Sequence, residues 1–180
     1  MMSAPDLAGR RVTVAGAARS GVAAAELLVR IGARVTLSES SDRIDEASKL
    51  QQLGVQLERG GHRVDTFTNA DLVVLSPGVP PDRDVVRAAR ARGVPVIGEV
   101  ELASRYLQGR VIAITGTKGK STTTTLAGRI LEAAGFRVSL GGNIGIPLCA
   151  QVDRSTPHTL HVVETSSFQL EQIDRFHPWI

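Results

Sequence analysis

Between Val111 and Ile130 the chain reads VIAITGTKGKSTTTTLAGRI, a stretch whose residue types suit phosphate chemistry. Gly116-Thr117-Lys118-Gly119-Lys120-Ser121 follows an apolar β-branched run, Val111 to Thr115, and leads into a helix-compatible segment closed by Gly135. Glycines let backbone N–H groups approach a polyphosphate, a lysine neutralises its charge, and a hydroxyl can ligate Mg²⁺. The spacing is irregular. The usual pattern would put its first glycine at Ile114, whereas Gly116 comes two residues late. A plain glycine-rich turn with a solvated Lys120 is the alternative, but strand, loop and helix in succession favour the phosphate reading. Thr122 to Thr125 are poor helix formers, so hydroxyls in that first turn are expected to have something to bind.

Two further sites could do chemistry. Glu164 ends an apolar strand, Thr159 to Val163, and a carboxylate at a strand's C-terminal end beside a phosphate loop suits a magnesium ligand. A helix N-terminal charge is its plainer role. Near the N-terminus, Gly16-Ala17-Ala18-Arg19-Ser20-Gly21 follows the strand 11–15, and Glu39 ends the next strand. This is the layout of a dinucleotide fingerprint, except that Ala18 stands where the middle glycine would admit a pyrophosphate. A nucleotide-binding turn and a tight turn without a ligand both stay open.

These residues need an α/β frame. The first strand leads to a helix through Ile31, with Val22, Ala25 and Leu28 on one face and Gly32 as its stop. Strands are expected at 34–37, 55–57, 71–75 and 94–97. Helices are expected from Ile44 to Leu53, Arg83 to Arg92 and Glu99 to Leu107, with a turn at Ser76-Pro77-Gly78. The alternation predicts a parallel sheet covered on both faces, with ligands at the strand C-terminal ends. Gln108-Gly109 marks the expected boundary between a Rossmann-like domain, 1–108, and a phosphate-loop domain, 109–180. In the second domain a strand at 136–140, the turn Gly141 to Gly145, a loop at 153–158 and an apolar strand entry at Pro178-Trp179-Ile180 follow. A phosphate-loop domain of this size is short, so an incomplete chain is expected.

Composition excludes other classes. The 180 residues carry a formal charge of +3, but the arginines are scattered and aromatics make up 3%. Without basic blocks or interleaved aromatics, nucleic-acid binding is not expected. One cysteine, Cys149, rules out an internal disulfide and fits a reducing compartment. No apolar run approaches a membrane span and no signal-peptide core is present, so a cytoplasmic protein without a membrane partner is expected.

With these residues in hand the sequence resembles the Mur ligases of peptidoglycan synthesis, and within them the glutamate-adding branch. The carriers are ITGTKGKSTTT (114–124), GGNIGIP (141–147), VVETSSFQLE (162–171), LSPGVP (75–80) and GEVELA (98–103). The short-spaced loop is itself the form these ligases use, and SSFQL separates the glutamate-adding enzymes from their siblings. Lys118 departs from the asparagine usual in the family, and Ala18 from a glycine. The resemblance implies an ATP- and Mg²⁺-dependent amide ligase, monomeric, that joins D-glutamate to UDP-N-acetylmuramoyl-L-alanine through an acyl phosphate. It implies that Gly116, Thr117, Lys118, Gly119, Lys120, Ser121 and Thr122 hold the ATP phosphates. Lys120 and Glu164 would be catalytic, Ser121 and Glu164 the magnesium ligands. Arg19, Ser20, Glu39, Ser40, Ser76 and Asn143 would bind the UDP-linked substrate. The family's carbamylated lysine and C-terminal domain would lie beyond Ile180, so the chain alone is expected not to complete the ligation. A sibling Mur ligase, a folylpolyglutamate synthase, and a non-catalytic UDP-sugar-binding module are the rival readings.

Overall fold

The computed structural model describes residues 6–180. Its first sheet is wholly parallel and built from β1 (Arg11–Ala15), β2 (Arg34–Ser38), β3 (Gln56–Glu58), β4 (Leu72–Leu75) and β5 (Val96–Gly98). The order is β3-β2-β1-β4-β5. Helices α1 (Arg19–Arg30), α2 (Ala47–Gln52), α3 (Val64–Thr68), α4 (Asp84–Ala91) and α5 (Glu99–Ser104) connect or follow these strands. Strand order reverses between β1 and β4, so the loops after them open a crevice at the sheet's C-terminal edge.

Alternation along β1 and β2 explains the layering. Val12, Val14, Val35 and Leu37 point into a core shared with Ala24, Leu27 and Leu28 of α1 and with Leu50 of α2. Full burial of each leucine contributes about 2 kcal/mol. Both faces are covered along β4, where Leu72, Val73, Val74 and Leu75 are all buried, and over β1 beyond Arg11, where Thr13 bonds to α3 and Ala15 packs with Phe67. Over β1–β3 the other face carries Arg11, Thr13, Arg34, Thr36, Gln56 and Glu58, and forms an open groove of about 760 Å³. The expected cover on both faces is therefore corrected there. The cause is the polarity of Arg11, Arg34, Thr36, Gln56 and Glu58 on that face, which leaves little apolar surface for a helix to bury.

Some boundaries shift. α2 starts at Ala47, with buried Ile44 before it and Leu53 after it 43% exposed, so the expected 44–53 helix is shorter. Helix α3 was not expected. It caps β1 through the Thr13 hydroxyl, which donates to the Thr66 carbonyl at 2.8 Å.

A second parallel sheet has the order β6-β8-β7 and comprises β6 (Arg110–Ile114), β7 (Arg137–Gly142) and β8 (Thr159–Glu164). Between β6 and β7 runs α6 (Lys120–Ala133), and α7 (Ser167–Leu170) follows β8. A 3-10 helix, Leu148–Arg154, takes in Asp153 and Arg154, which the sequence placed in a loop. At the chain's last residues the Trp179 N–H donates to the Val111 carbonyl at 2.8 Å, and the Ala113 N–H to the Ile180 carbonyl at 2.8 Å. This laddering along β6 agrees with the expected strand entry.

The two sheets share one core. Leu148 and Cys149 of the 3-10 helix and Val163 of β8 pack in the same cluster as Leu102 and Ala103 of α5. Two α5 carboxylates cross the joint. Glu99 Oε1 accepts from the Cys149 N–H at 2.6 Å, and Glu101 Oε2 accepts from the N–H groups of Asp174, Arg175 and Phe176 at 2.8–2.9 Å.

Candidate nucleotide and substrate site

The phosphate loop sits where parallel-sheet geometry sends it. Ile114, the last residue of β6, pairs with Glu164, the last of β8, so loop and carboxylate leave the sheet side by side. Gly119 caps α6 in a left-handed conformation, φ 77°, which glycine adopts without strain. Thr115 to Gly119 are exposed, with Ser121 and Thr122, while Lys120 folds back and its Nζ donates to the Gly116 carbonyl at 2.8 Å. Of the four threonines, Thr124 is buried and its hydroxyl donates to the Lys120 carbonyl at 2.8 Å, while Thr122 and Thr123 face solvent. The loop and the start of α6 are thus exposed, with the Lys120 ammonium folded over the loop.

Glu164 is 1% exposed. Its Oε1 accepts from Asn143 Nδ2 at 2.8 Å, and its backbone carbonyl accepts from the Asn143 N–H at 2.9 Å. Oε2 is buried without a hydrogen-bond partner. A carboxylate oxygen in that condition is costly unless it meets a cation or donor. It therefore fits the expected metal role better than a helix-terminal charge. Among the described residues no group of three or more His, Cys, Asp or Glu could hold a metal. A cation here would rely on Ser121, Glu164, phosphate oxygens and water, which suits Mg²⁺.

Asn143 leads across to the first sheet. Ala18, Arg19 and Ser20 from the β1–α1 loop, Ser76 after β4, and Asn143 and Gly145 after β7 line one cleft of about 210 Å³. Arg19 bridges it, its guanidinium donating to the Gly145 carbonyl at 2.6 Å. Ser76 is 2% exposed and its hydroxyl lacks a partner. The structure thus brings together Arg19, Ser20, Ser76 and Asn143. Glu39 and Ser40 lie outside this lining, at the end of β2.

Glu39 is occupied by its own loops. Oε2 accepts from the Ala17 N–H at 2.6 Å, and Oε1 from the Ser41 N–H at 3.0 Å and the Ser40 hydroxyl at 2.8 Å. Burial pushes its carboxyl up, but these donors outweigh burial and hold it below the usual range. Its visible work is to fix the glycine-rich turn. Ala18 is exposed in that turn, whereas a side chain at Gly21 would collide with the Gly16 carbonyl.

Sequence reasoning passed over Glu99 and Gln169. Glu99 is 1% exposed, with burial pushing its carboxyl up to about 7, partly offset by the Cys149 and Leu148 N–H groups. The signal available was the charged residue opening a helix straight after a buried strand.

Residues 10–98 match the family described as Mur ligase MurD-like, N-terminal domain, and residues 114–178 the Mur ligase middle domain. The chain belongs to the Mur ligase family. Among curated Mur ligase relatives, an Anaeromyxobacter dehalogenans UDP-N-acetylmuramoylalanine--D-glutamate ligase is 53% identical over 97% of this chain and 38% of its own length. The Acidobacterium capsulatum protein of the same name is 48% identical over 97% of this chain and 39% of its own. The chain thus spans under two-fifths of these relatives. Solved Mur ligase structures share the fold. A murein peptide ligase from Psychrobacter arcticus matches 89% of this chain and 39% of its own at 23% identity, TM-score 0.56. A pseudomurein peptide ligase from Methanothermus fervidus matches 88% of this chain and 33% of its own at 24%, TM-score 0.52. Among the described residues no helix is long and apolar enough to cross a membrane.

Proposed function

We propose that this chain forms the UDP-substrate and ATP sites of a ligase that joins D-glutamate to UDP-N-acetylmuramoyl-L-alanine. Residues 1–108 would bind the UDP-linked substrate and 109–180 the nucleotide. The names of the relatives support the substrates, and one observation carries the reading. Asn143, in the lining of the inter-sheet cleft, hydrogen-bonds Glu164 beside the phosphate loop. A substrate in the cleft would thereby lie next to the transferring phosphate.

A carboxylate is a poor electrophile at neutral pH, and its phosphorylation supplies a leaving group for attack by an amine. Phosphoryl transfer asks mainly for positioning and charge neutralisation. The loop N–H groups from Gly116 to Thr122 would hold the phosphates. Lys120 would exchange the Gly116 carbonyl for a phosphoryl oxygen. Ser121 and Glu164 would hold Mg²⁺, which neutralises phosphate charge when bound. Arg19, Ser20 and Ser76 would orient the UDP-linked substrate, and Glu39 with Ser40 would shape the loop that receives it.

Thermal-shift and calorimetric titration of this chain tests the reading. UDP-N-acetylmuramoyl-L-alanine and Mg-ATP should each raise the melting temperature, while NAD and NADP should not. A shift with NAD alone would overturn the assignment in favour of an oxidoreductase.

A further inference from the structure

The turn that carries Asn143 is closed at one atom. The Ile146 carbonyl accepts from the Gly142 N–H at 3.1 Å and from Gln151 Nε2 at 3.0 Å. Gln151 belongs to the 3-10 helix and is 3% exposed. Its Oε1 accepts from the Ser139 hydroxyl and from His161 Nδ1 at 3.1 Å, so both ends of the amide are engaged. His161 of β8 is fully buried, and its Nε2 meets the Ser155 hydroxyl at 2.8 Å. Ser155 Oγ accepts in turn from the N–H groups of Gln108 and Gly109, at 2.9 and 3.1 Å, where the chain passes from α5 into β6.

Every step of this series has one direction. With two N–H groups on its oxygen, Ser155 gives its own proton to Nε2. The imidazole proton is then on Nδ1 and goes to Gln151 Oε1, which turns the amide nitrogen towards Ile146. Reversing the Gln151 amide would set two acceptor oxygens against each other. Backbone at both ends is fitted to these side chains. A Cβ on Gly141 would collide with Gln151 Nε2, and one on Gly109 would press on His161 Cδ2. The series thus runs unbroken from the crossing between the two sheets to the Asn143 turn. None of Gln151, His161 and Ser155 lines the cleft beside Asn143.

We propose that Gln151 and His161 are positioning residues for Asn143, and through it for Glu164 and the UDP-linked substrate. By fixing the Ile146 carbonyl they hold the turn in the shape from which Asn143 Nδ2 donates to Glu164 Oε1. Their service to the substrate rests on the function proposed above. Their hold on the turn does not.

Hydrogen exchange and calorimetry on three variants of this chain test the assignment. Gln151→Met removes the donor to Ile146 at nearly constant shape. His161→Phe keeps a buried ring without a donor, whereas His161→Asn keeps a nitrogen donor near the place of Nδ1. In the ligand-free chain, exchange of the Gly142 and Asn143 N–H groups should quicken about tenfold or more in Gln151→Met and His161→Phe, and by more than that of the β1 amides, which report global unfolding. His161→Asn should restore most of the protection. UDP-N-acetylmuramoyl-L-alanine should bind about tenfold more weakly to Gln151→Met and His161→Phe, and close to parent affinity to His161→Asn. Urea midpoints separate this from packing, since the smaller Asn leaves a cavity that Phe fills. Gln151→Met and His161→Phe break different links, so either suffices should the other not fold. Parent exchange rates at Gly142 and Asn143 in both, or exchange that follows the urea midpoints with His161→Asn no better than His161→Phe, would overturn the proposal. Unchanged substrate affinity in variants whose turn exchanges fast would overturn it as well. A parent that does not bind the UDP-linked substrate would refute the function proposed above, and exchange alone would then decide the positioning.

Discussion

Lys120 closes on its own loop in this structure, and that contact defines what its removal should do. The Gly116 carbonyl that accepts its ammonium is a weak substitute for a phosphoryl oxygen. Loop N–H groups can hold ground-state phosphate without the lysine, so its largest effect should fall on the chemical step. With the chain joined to the remaining length of a relative such as the Anaeromyxobacter dehalogenans ligase, Lys120→Ala should lower phosphate release at least about a hundredfold. ATP affinity should fall less. Lys118→Asn should be mild in both assays, since Lys118 is exposed at the loop tip. Release unchanged in Lys120→Ala would refute the role given to it. For Glu164 the readout is magnesium. Glu164→Gln keeps the acceptor for Asn143 Nδ2 but removes the charge on the unpartnered oxygen. Calorimetry of ATP with and without Mg²⁺ should show the metal's contribution reduced about tenfold or more, and an unchanged contribution would make Glu164 purely structural.

At the scale of elements, the glycine-rich turn after β1 is the tightest fit. Gly21 lies under the Gly16 carbonyl, so Gly21→Ala must push α1 away from β1. The cost should be about 2–3 kcal/mol, as for other overpacked sites, read as a lowered midpoint in urea with the slope unchanged. Gly78→Ala, where nothing stands within 4 Å, should be nearly neutral. This contrast also marks what sequence could and could not disclose. Gly16, Gly21 and the phosphate loop announce themselves because their spacing is set by backbone contact. The polar alternation of β1 and β2 was equally visible, and it carried the open sheet face that helix–strand alternation alone concealed. Helix α3 has five residues and no apolar repeat, so its position depends on Thr13 across the fold, on nearby Glu58 and on burial of Phe67 against β1, β4 and α4 rather than on a periodic signal. The cleft uniting Arg19, Ser76 and Asn143 arises from residues up to 124 positions apart (143 − 19), which no local pattern encodes.

Across the whole molecule, the joint between the sheets contains two buried ionisable groups with opposite linkage to pH. His161 is fully buried, its Nε2 against the Ser155 hydroxyl at 2.8 Å and its Nδ1 against Gln151 Oε1 at 3.1 Å. Ser155 Oγ already accepts from the N–H groups of Gln108 and Gly109, so its proton goes to Nε2, and Nδ1–H donates to Gln151. The ring is neutral, and burial lowers its pKa to about 4. An unfolded histidine titrates near 6.5, so the folding free energy tied to His161 is complete above that pH and is lost as pH falls towards 4. Glu99 behaves oppositely. Its folded carboxyl titrates at about 7 and its unfolded one near 4.5, so its burial is free of penalty below 4.5 and destabilises as pH rises through 7. Each shift corresponds to about 3 kcal/mol, and between pH 4.5 and 6.5 the two nearly cancel. Glu99→Gln removes one of them while keeping an acceptor for the Cys149 N–H. Its melting temperature relative to the parent should therefore climb steadily from pH 5 to pH 8, by up to the equivalent of about 3 kcal/mol. The variant's own stability should now fall on acidification below 6.5, where the parent's stays level. Glu101 serves as the control. Burial pushes it up, but the Asp174, Arg175 and Phe176 N–H groups and the Arg105 guanidinium outweigh this and hold it ionised, below the usual carboxylate range. Glu101→Gln should accordingly cost stability at pH 5 and pH 8 alike. A Glu99→Gln difference equally flat with pH would mean that Glu99 is already ionised at pH 5, and that the joint pays no proton-dependent penalty there.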